Sequence, residues 1–226
     1  MENLAKTLGE LNLYHDFAKH IQQGLFPYRD FPIEYPPLSL VFFQLAQVFG
    51  DKWFTLIWYL LVVIFVILIG VVIHKLKGNV YIFLSSILVL GGLFFDRFDI
   101  FPAFFSILAV YLLLKKKTVL AALILSLAVG IKIYPIVLLP LFLIEKNVKK
   151  LFLSSLVFLI VLIIPFLVVL HGGGREGLLK LADYNINRGM EINSFKSSYH
   201  LIKYLMGKEK LMVNYNHSSY EIEVVE

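Results

Sequence analysis

The sequence predicts an all-α, polytopic transmembrane helical protein, and three features of the 226-residue chain carry that prediction. Hydrophobic residues make up 59% of it and charged residues only 16%, against roughly 25% charged in a soluble domain. The charges cluster at the amino end, in short punctuating runs and in the last quarter, so the middle is nearly charge-free. The apolar runs between those clusters approach the roughly 20 residues that cross a bilayer. So few charges, so grouped, cannot build a water-facing surface, and a soluble globular domain is excluded. The length leaves room for about five or six spans and two polar ends.

Residues 16–23 suit a short amphipathic helix with Phe17, Ala18 and Ile21 on one side. Gly24 and Pro27 end it. Residues 26–37 read as an extended loop, because Pro27, Pro32, Pro36 and Pro37 each disfavour helix in the residue before them. Residues 38–49 are apolar but too short to cross, and they carry Gln44 and Gln47, so an interfacial or re-entrant helix is expected. Residues 54–73 are long enough to span, with Trp53, Trp58 and Tyr59 as an interface belt. A basic turn with Lys75 and Lys77 follows, and residues 80–95 form a second expected span.

Asp96-Arg97-Phe98-Asp99 is a tiny charged loop before a third span over 100–114, which ends in Lys115, Lys116 and Lys117. Residues 119–131 and 136–144 flank a break at 132–135. Residues 151–170 are the last clear span, with Pro165 inside it as a potential kink. Beyond it the chain is polar. Its Gly-Gly-Gly-Arg-Glu opening is expected to be flexible, and Leu201, Ile202 and Leu205 mark a surface helix over 199–206. The expected division is a non-cytoplasmic loop with a short interfacial helix (1–53), a helical membrane domain (54–170) and a non-cytoplasmic polar tail (171–226).

The lysines give a sidedness. Lys75 and Lys77, Lys115 to Lys117, and Lys146, Lys149 and Lys150 fall at every second loop, so the positive-inside rule places all three groups in the cytoplasm. The amino-terminal loop, the 96–99 loop, the break at 132–135 and the carboxy-terminal tail then share the outer face. Because the lysines mark membrane borders instead of forming one basic face, nucleic acid is not an expected partner. There is no cysteine, hence no disulfide and no thiolate metal site. His15 and His20 could share a helix side, but there is no third ligand, so no metal site is expected.

Four polar constellations lie on that outer face. In the first, Asp30 and Glu34 sit four residues apart in a proline-stiffened loop. A carboxylate held beside an apolar boundary can act as a general base; the competing reading is a structural loop in which Arg29 pairs with Asp30 or Glu34. In the second, Arg97 flanked by acids suits a phosphate or a sugar hydroxyl, or else the turn merely stays out of lipid. In the third, Lys132 and Tyr134 interrupt an apolar stretch, where a charge costs at least about 2.5 kcal/mol; Lys132 pairs with a lipid phosphate or snorkels. The fourth, residues 187–191 with Arg188, is weak by itself.

Taken in order, these blocks resemble the GT-C class of membrane glycosyltransferases, and within it glycosyltransferase family 87, the PimE-like mannosyltransferases that use polyprenyl-phosphate-mannose. The matching text is YHDFAKHIQQGLFPYRDFPIEYPP (14–37), FDRFDIFPA (95–103), GIKIYPIVLLP (130–140) and NRGMEINS (187–194). The resemblance implies a GT-C-like helical enzyme with its active site on the non-cytoplasmic face. It implies an inverting transfer from a polyprenyl-phosphate sugar donor to a lipid or glycan acceptor, with no cofactor and no obligatory metal.

It also assigns roles. Asp30 and Glu34, with Glu10 as the nearest acidic match before Tyr14, are the expected catalytic carboxylates. Arg97, Lys132 and Arg188 are expected to hold the donor phosphate and Asp99 to orient Arg97 or bind a hydroxyl. Arg29, Tyr35 and Tyr134 complete the expected substrate-binding set. Family members carry a span before the Tyr14 position and more spans after the Arg188 block. The chain is therefore expected to be partial, with membrane lipids and a complementary chain supplying spans as partners. The reading from a different class is a non-catalytic membrane subunit or a transporter-like protein, separated by whether Asp30, Arg97, Lys132 and Arg188 converge on one cavity.

Overall fold

The computed structural model describes residues 9–187, 189–191, 194–216 and 219–225. The chain divides into two compact units, Met1–Arg175 and Glu176–Glu226.

The first unit is helical. Helix α1 (Gly9–Gln22) is longer at its amino end than the expected amphipathic segment and buries Leu11, Tyr14, Phe17 and Ala18. Helix α2 (Ser39–Gln47) follows the proline loop. A 3-10 turn (Asp51–Trp53) leads into α3 (Phe54–Lys75). Then come α4 (Val80–Leu90), the short α5 (Gly92–Asp96), α6 (Ile100–Leu114) and α7 (Thr118–Ile131). A 3-10 helix over Tyr134–Ile144 carries Pro135 and Pro140, whose missing N–H groups weaken an α-helical ladder there. Helix α8 (Val148–His171) closes the unit, and α9 (Arg175–Asn187) begins at the boundary with the second.

Among the described residues, two helices are long and apolar enough to cross a membrane, Asp51–Lys75 and Val148–His171. Only 22% and 17% of their apolar windows are buried inside the protein. A core helix of a soluble protein would be mostly covered, so these faces are built for lipid. The second expected span is interrupted. Gly91, at φ 57°, ends α4 and restarts the chain as α5, a backbone conformation that favours glycine.

Small residues let the later helices approach closely. Ala121, Ala122, Ala128 and Val129 of α7 pack with Ala109 and Leu112 of α6, and with Phe142 and Phe158. Where α7 meets the start of α2, a Cβ on Gly130 would fall 2.5 Å from Leu38 Cδ1, and Leu38 N donates to Gly130 O at 3.2 Å. That contact sets Lys132, two residues later, beside the proline loop.

The Gly172-Gly173-Gly174 stretch, expected to be flexible, is instead packed. Its amides cap α8 on Val168 O, Leu170 O and Val169 O. A Cβ on Gly172 would lie 2.0 Å from Phe26 Cζ, so the glycine exists here to admit the aromatic ring.

The second unit corrects the all-α expectation. It holds a three-stranded antiparallel sheet in the order β1-β3-β2, from β1 (Met190–Glu191), β2 (Lys210–Asn216) and β3 (Ser219–Val225), together with α10 (Phe195–Leu205). Ile222 pairs with Met190 on one side and Val213 on the other and is buried.

Candidate active site

An aromatic core organises the polar constellations. Tyr14 is fully buried, stacks on Phe43 with centroids 4.7 Å apart, and meets the edge of Phe98 at 5.5 Å. Tyr35 packs edge-on against Phe98 at 4.7 Å and Tyr14 at 5.9 Å. Trp58 lies 5.1 Å from Tyr14, and its Nε1 donates to Phe95 O at 2.9 Å. Tyr59 Oη donates to Asp96 Oδ1 at 3.0 Å. Helix α3 therefore grips the turn just before Arg97, and the buried Phe98 ring anchors the turn just after it.

The charged residues on either side of Phe98 are each paired. Arg97 Nη2 lies 2.9 Å from Glu10 Oε1. Tyr14 Oη donates to the other oxygen, Glu10 Oε2, at 2.9 Å. Glu10 and Tyr14 are one helical turn apart, so they share a face of α1. Lys132 Nζ lies 2.6 Å from Asp99 Oδ1 and 4.9 Å from the Phe98 ring centre. Burial, then the nearby Tyr35 and Glu10, pushes the Tyr14 phenol far up, so it remains a donor to Glu10. None of these four charges is sealed off: the side chains of Glu10, Arg97, Asp99 and Lys132 are 40%, 52%, 43% and 32% exposed. Two cations and two carboxylates thus open together beside a rigid aromatic floor, an arrangement suited to an anionic substrate.

The model of glycosyltransferase family 87 matches residues 33–206, well over half of the chain. The chain belongs to glycosyltransferase family 87. Neither curated proteins nor solved structures gave a match. The chain is accordingly a glycosyltransferase, and its apolar helices make it a membrane protein. Arg97, Asp99, Lys132 and Tyr134 lie inside the matched region of this family 87 enzyme, whereas Glu10, Arg29 and Asp30 precede it.

The proline loop of the glycosyltransferase forms a separate cluster. Arg29 Nε lies 2.8 Å from Asp30 Oδ1, and Phe26 N donates to Asp30 Oδ2 at 2.6 Å. Arg29 Nη1 also donates to Gly172 O at 3.3 Å. The Arg29 guanidinium, then the Phe26 amide, lowers the Asp30 carboxyl to about 2. Tyr28, at φ 66°, is buried and donates its hydroxyl to Tyr35 O, which ties this loop to the aromatic core. Glu34 lies in the same loop, between the two clusters in sequence. Asp99 acts electrostatically on Tyr134, which places Tyr134 with the Lys132 side of the site. Arg188 lies outside the described residues. His15 and His20 also diverge: His15 pairs with Asp51 at 3.2 Å and His20 packs against Phe31.

Of the residues singled out from sequence, the structure brings together Glu10, Tyr35, Arg97, Asp99, Lys132 and Tyr134. Arg29 and Asp30 instead pair with each other and with the backbone of Phe26 and Gly172. Sequence reasoning missed Tyr14 and Phe98 as the organisers. The signal was present in the Glu10–Tyr14 spacing and in a large apolar residue placed between Arg97 and Asp99.

Proposed function

We propose that this glycosyltransferase is a multi-pass enzyme that moves mannose, or a similar hexose, from a polyprenyl phosphate to a hydroxyl of a lipid or glycan on the non-cytoplasmic face. The observation that carries the reading is the meeting of two ion pairs, Glu10–Arg97 and Asp99–Lys132, around Phe98. A phosphate arriving there takes Arg97 and Lys132 as its counter-charges. Doing so releases Glu10 from Arg97.

Glu10 is then the carboxylate we place first as general base. It removes the proton from the acceptor hydroxyl, the oxygen attacks the sugar C1, and the polyprenyl phosphate departs with the bonding electrons. Arg97 and Lys132 stabilise the charge that grows on the departing phosphate. Asp99 holds the Lys132 ammonium in place, and Tyr35 and Tyr134 border the sugar. Asp30, already engaged by Arg29 and the Phe26 amide and lowered to about 2, is a poor base at neutral pH. Its role in this reading is to fasten the loop, with Glu34 the remaining alternative base. The paired cations and carboxylates in one place also favour a transferase over a purely structural subunit.

Crossing the bilayer more than twice requires the shorter apolar helices to take part. Helix α7 and the Tyr134–Ile144 helix leave from and return to one edge, where Lys116, Ile144 and Lys146 line the same hollow, with the break between them at the site. The alternating lysine turns support the sidedness. The test is transfer of labelled mannose from polyprenyl-phosphate-mannose in membranes holding wild type or Glu10→Gln. Loss of transfer in the variant supports the reading. Full transfer by Glu10→Gln removes Glu10 as base, and no transfer by wild type with that donor removes the donor.

A further inference from the structure

A second site lies at the lysine-rich edge, away from the residues above. Lys116, Lys146 and Lys150 line a hollow of about 350 Å³ with Leu113, Thr118 and Glu145. Glu145 is already occupied: Thr118 Oγ1 donates to Oε2 at 2.6 Å and Asn147 N to Oε1 at 3.0 Å. Three ammonium groups against one carboxylate leave the hollow cationic. The amino ends of α7 and α8 both open at this edge, which adds positive potential.

Directly along the chain from this hollow runs an apolar groove of about 360 Å³. Leu143 and Leu151 line it one residue from Ile144 and Lys150 of the hollow, and Phe142, Phe158 and Leu159 continue it. Ser154 also lines the groove. It is 1% exposed, and its Oγ has no hydrogen-bond partner among the described residues. A buried hydroxyl without a partner costs roughly 1–3 kcal/mol, so its presence points to a missing acceptor.

The spacing identifies what fits. Lys150, Ser154 and Phe158 recur at every fourth position of α8, so they form one stripe. The stripe reads ammonium, hydroxyl, aromatic ring, with steps of about 6 Å along the helix axis. A glycerophospholipid presents a matching series of phosphate, ester oxygen and hydrocarbon. We propose that this edge is a binding site for one anionic glycerophospholipid, with its phosphate among Lys116, Lys146 and Lys150, an ester oxygen accepting from Ser154, and an acyl chain in the groove. Basic hollows between membrane helices favour anionic head groups in this way. The site rests only on the membrane placement of the chain and is independent of the transferase chemistry.

The test uses the full chain in detergent micelles loaded with equal phosphatidylglycerol and phosphatidylcholine, read by native mass spectrometry. The wild type is expected to retain one phosphatidylglycerol in preference to phosphatidylcholine. The preference should fall about fivefold for each lysine removed in Lys116→Gln and Lys150→Gln. Ser154→Leu should lower retention of the lipid while leaving binding of inorganic phosphate unchanged. Lys75→Gln/Lys77→Gln, at the other lysine turn, should change nothing. Equal retention of the two lipids by wild type would overturn the proposal without any variant. So would an equal loss from the Lys75/Lys77 pair, which would indicate only diffuse surface charge. Failure of mannose transfer would leave this site standing, and failure of lipid retention would leave the transferase reading standing.

Discussion

Arg97 Nη2 lies 2.9 Å from Glu10 Oε1, and Tyr14 Oη lies 2.9 Å from the other oxygen of the same carboxylate. One side chain from α1 thus receives a cation from the 96–99 turn and a phenol from its own helix. The Glu10–Arg97 pair is about half exposed, so it contributes only ~0–1 kcal/mol to stability. Glu10→Gln should therefore fold normally and lose transfer activity by about a hundredfold or more. Labelled-mannose transfer alongside a thermal melt separates the two effects, and a melt that collapses with activity would contradict the assignment.

Lys132 is held by Asp99 at 2.6 Å and lies over Phe98. On the proposed role of Lys132 as counter-charge to the donor phosphate, Lys132→Gln should lower kcat/KM by about a hundredfold. Lys132→Arg keeps the charge and should retain more of it. Asp99→Asn leaves the ammonium free to drift, so it should raise KM for the polyprenyl-phosphate donor more than it lowers kcat. Steady-state kinetics across donor concentrations read both.

Asp30 should matter to the loop instead of to the chemistry. Its carboxyl is lowered to about 2 by Arg29 and the Phe26 amide, below the roughly 3.9 of a free Asp. The stabilisation is complete above that free value and is lost as pH falls through about 2. Proteolytic nicking at residues 26–31 should therefore rise between about pH 4 and pH 2, with an acid-active protease as probe, and Asp30→Asn should remove that rise. The same variant should keep most of its transfer activity at neutral pH.

Gly172→Ala should destabilise the first unit by about 1–3 kcal/mol. Its φ of −75° suits any residue, so the cost is one of space against the Phe26 ring. Phe26→Leu in the same chain should recover part of the loss. A thermal melt of the two single variants and the pair provides the measurement.

Lipid-facing helices were the most legible part of the chain. The Phe54–Lys75 and Val148–His171 helices follow directly from long charge-free runs bounded by lysine or histidine. The break after Ile131 was legible too, since Lys132 and Pro135 interrupt an apolar run. Gly91 was not read as a break because a single glycine inside an apolar run is tolerated in membrane helices. The sheet was missed although Tyr220, Ile222 and Val224 alternate with Glu221 and Glu223, a period-2 signal overshadowed by the helical text before it. Within the site, Arg97, Asp99 and Lys132 stood out as charges in apolar surroundings. Glu10 joined them only through the family resemblance; its pairing with Arg97 was not legible from the residues, because it depends on how α1 docks on the Phe43, Trp58 and Phe98 rings. For Arg29, the local pairing with Asp30 was one of the two readings open from spacing alone.

The Phe98 ring has a practical consequence for anyone wishing to retune this enzyme. Its two sequence neighbours, Arg97 and Asp99, are each held in an ion pair, while the ring itself is clamped by Tyr14, Tyr35 and Phe43. Randomising the clamp would scramble catalysis and expression together and teach little. On the proposed roles, a library confined to Tyr134, exposed and outside the clamp, would vary what sugar is accepted while the grip on its carrier stays put.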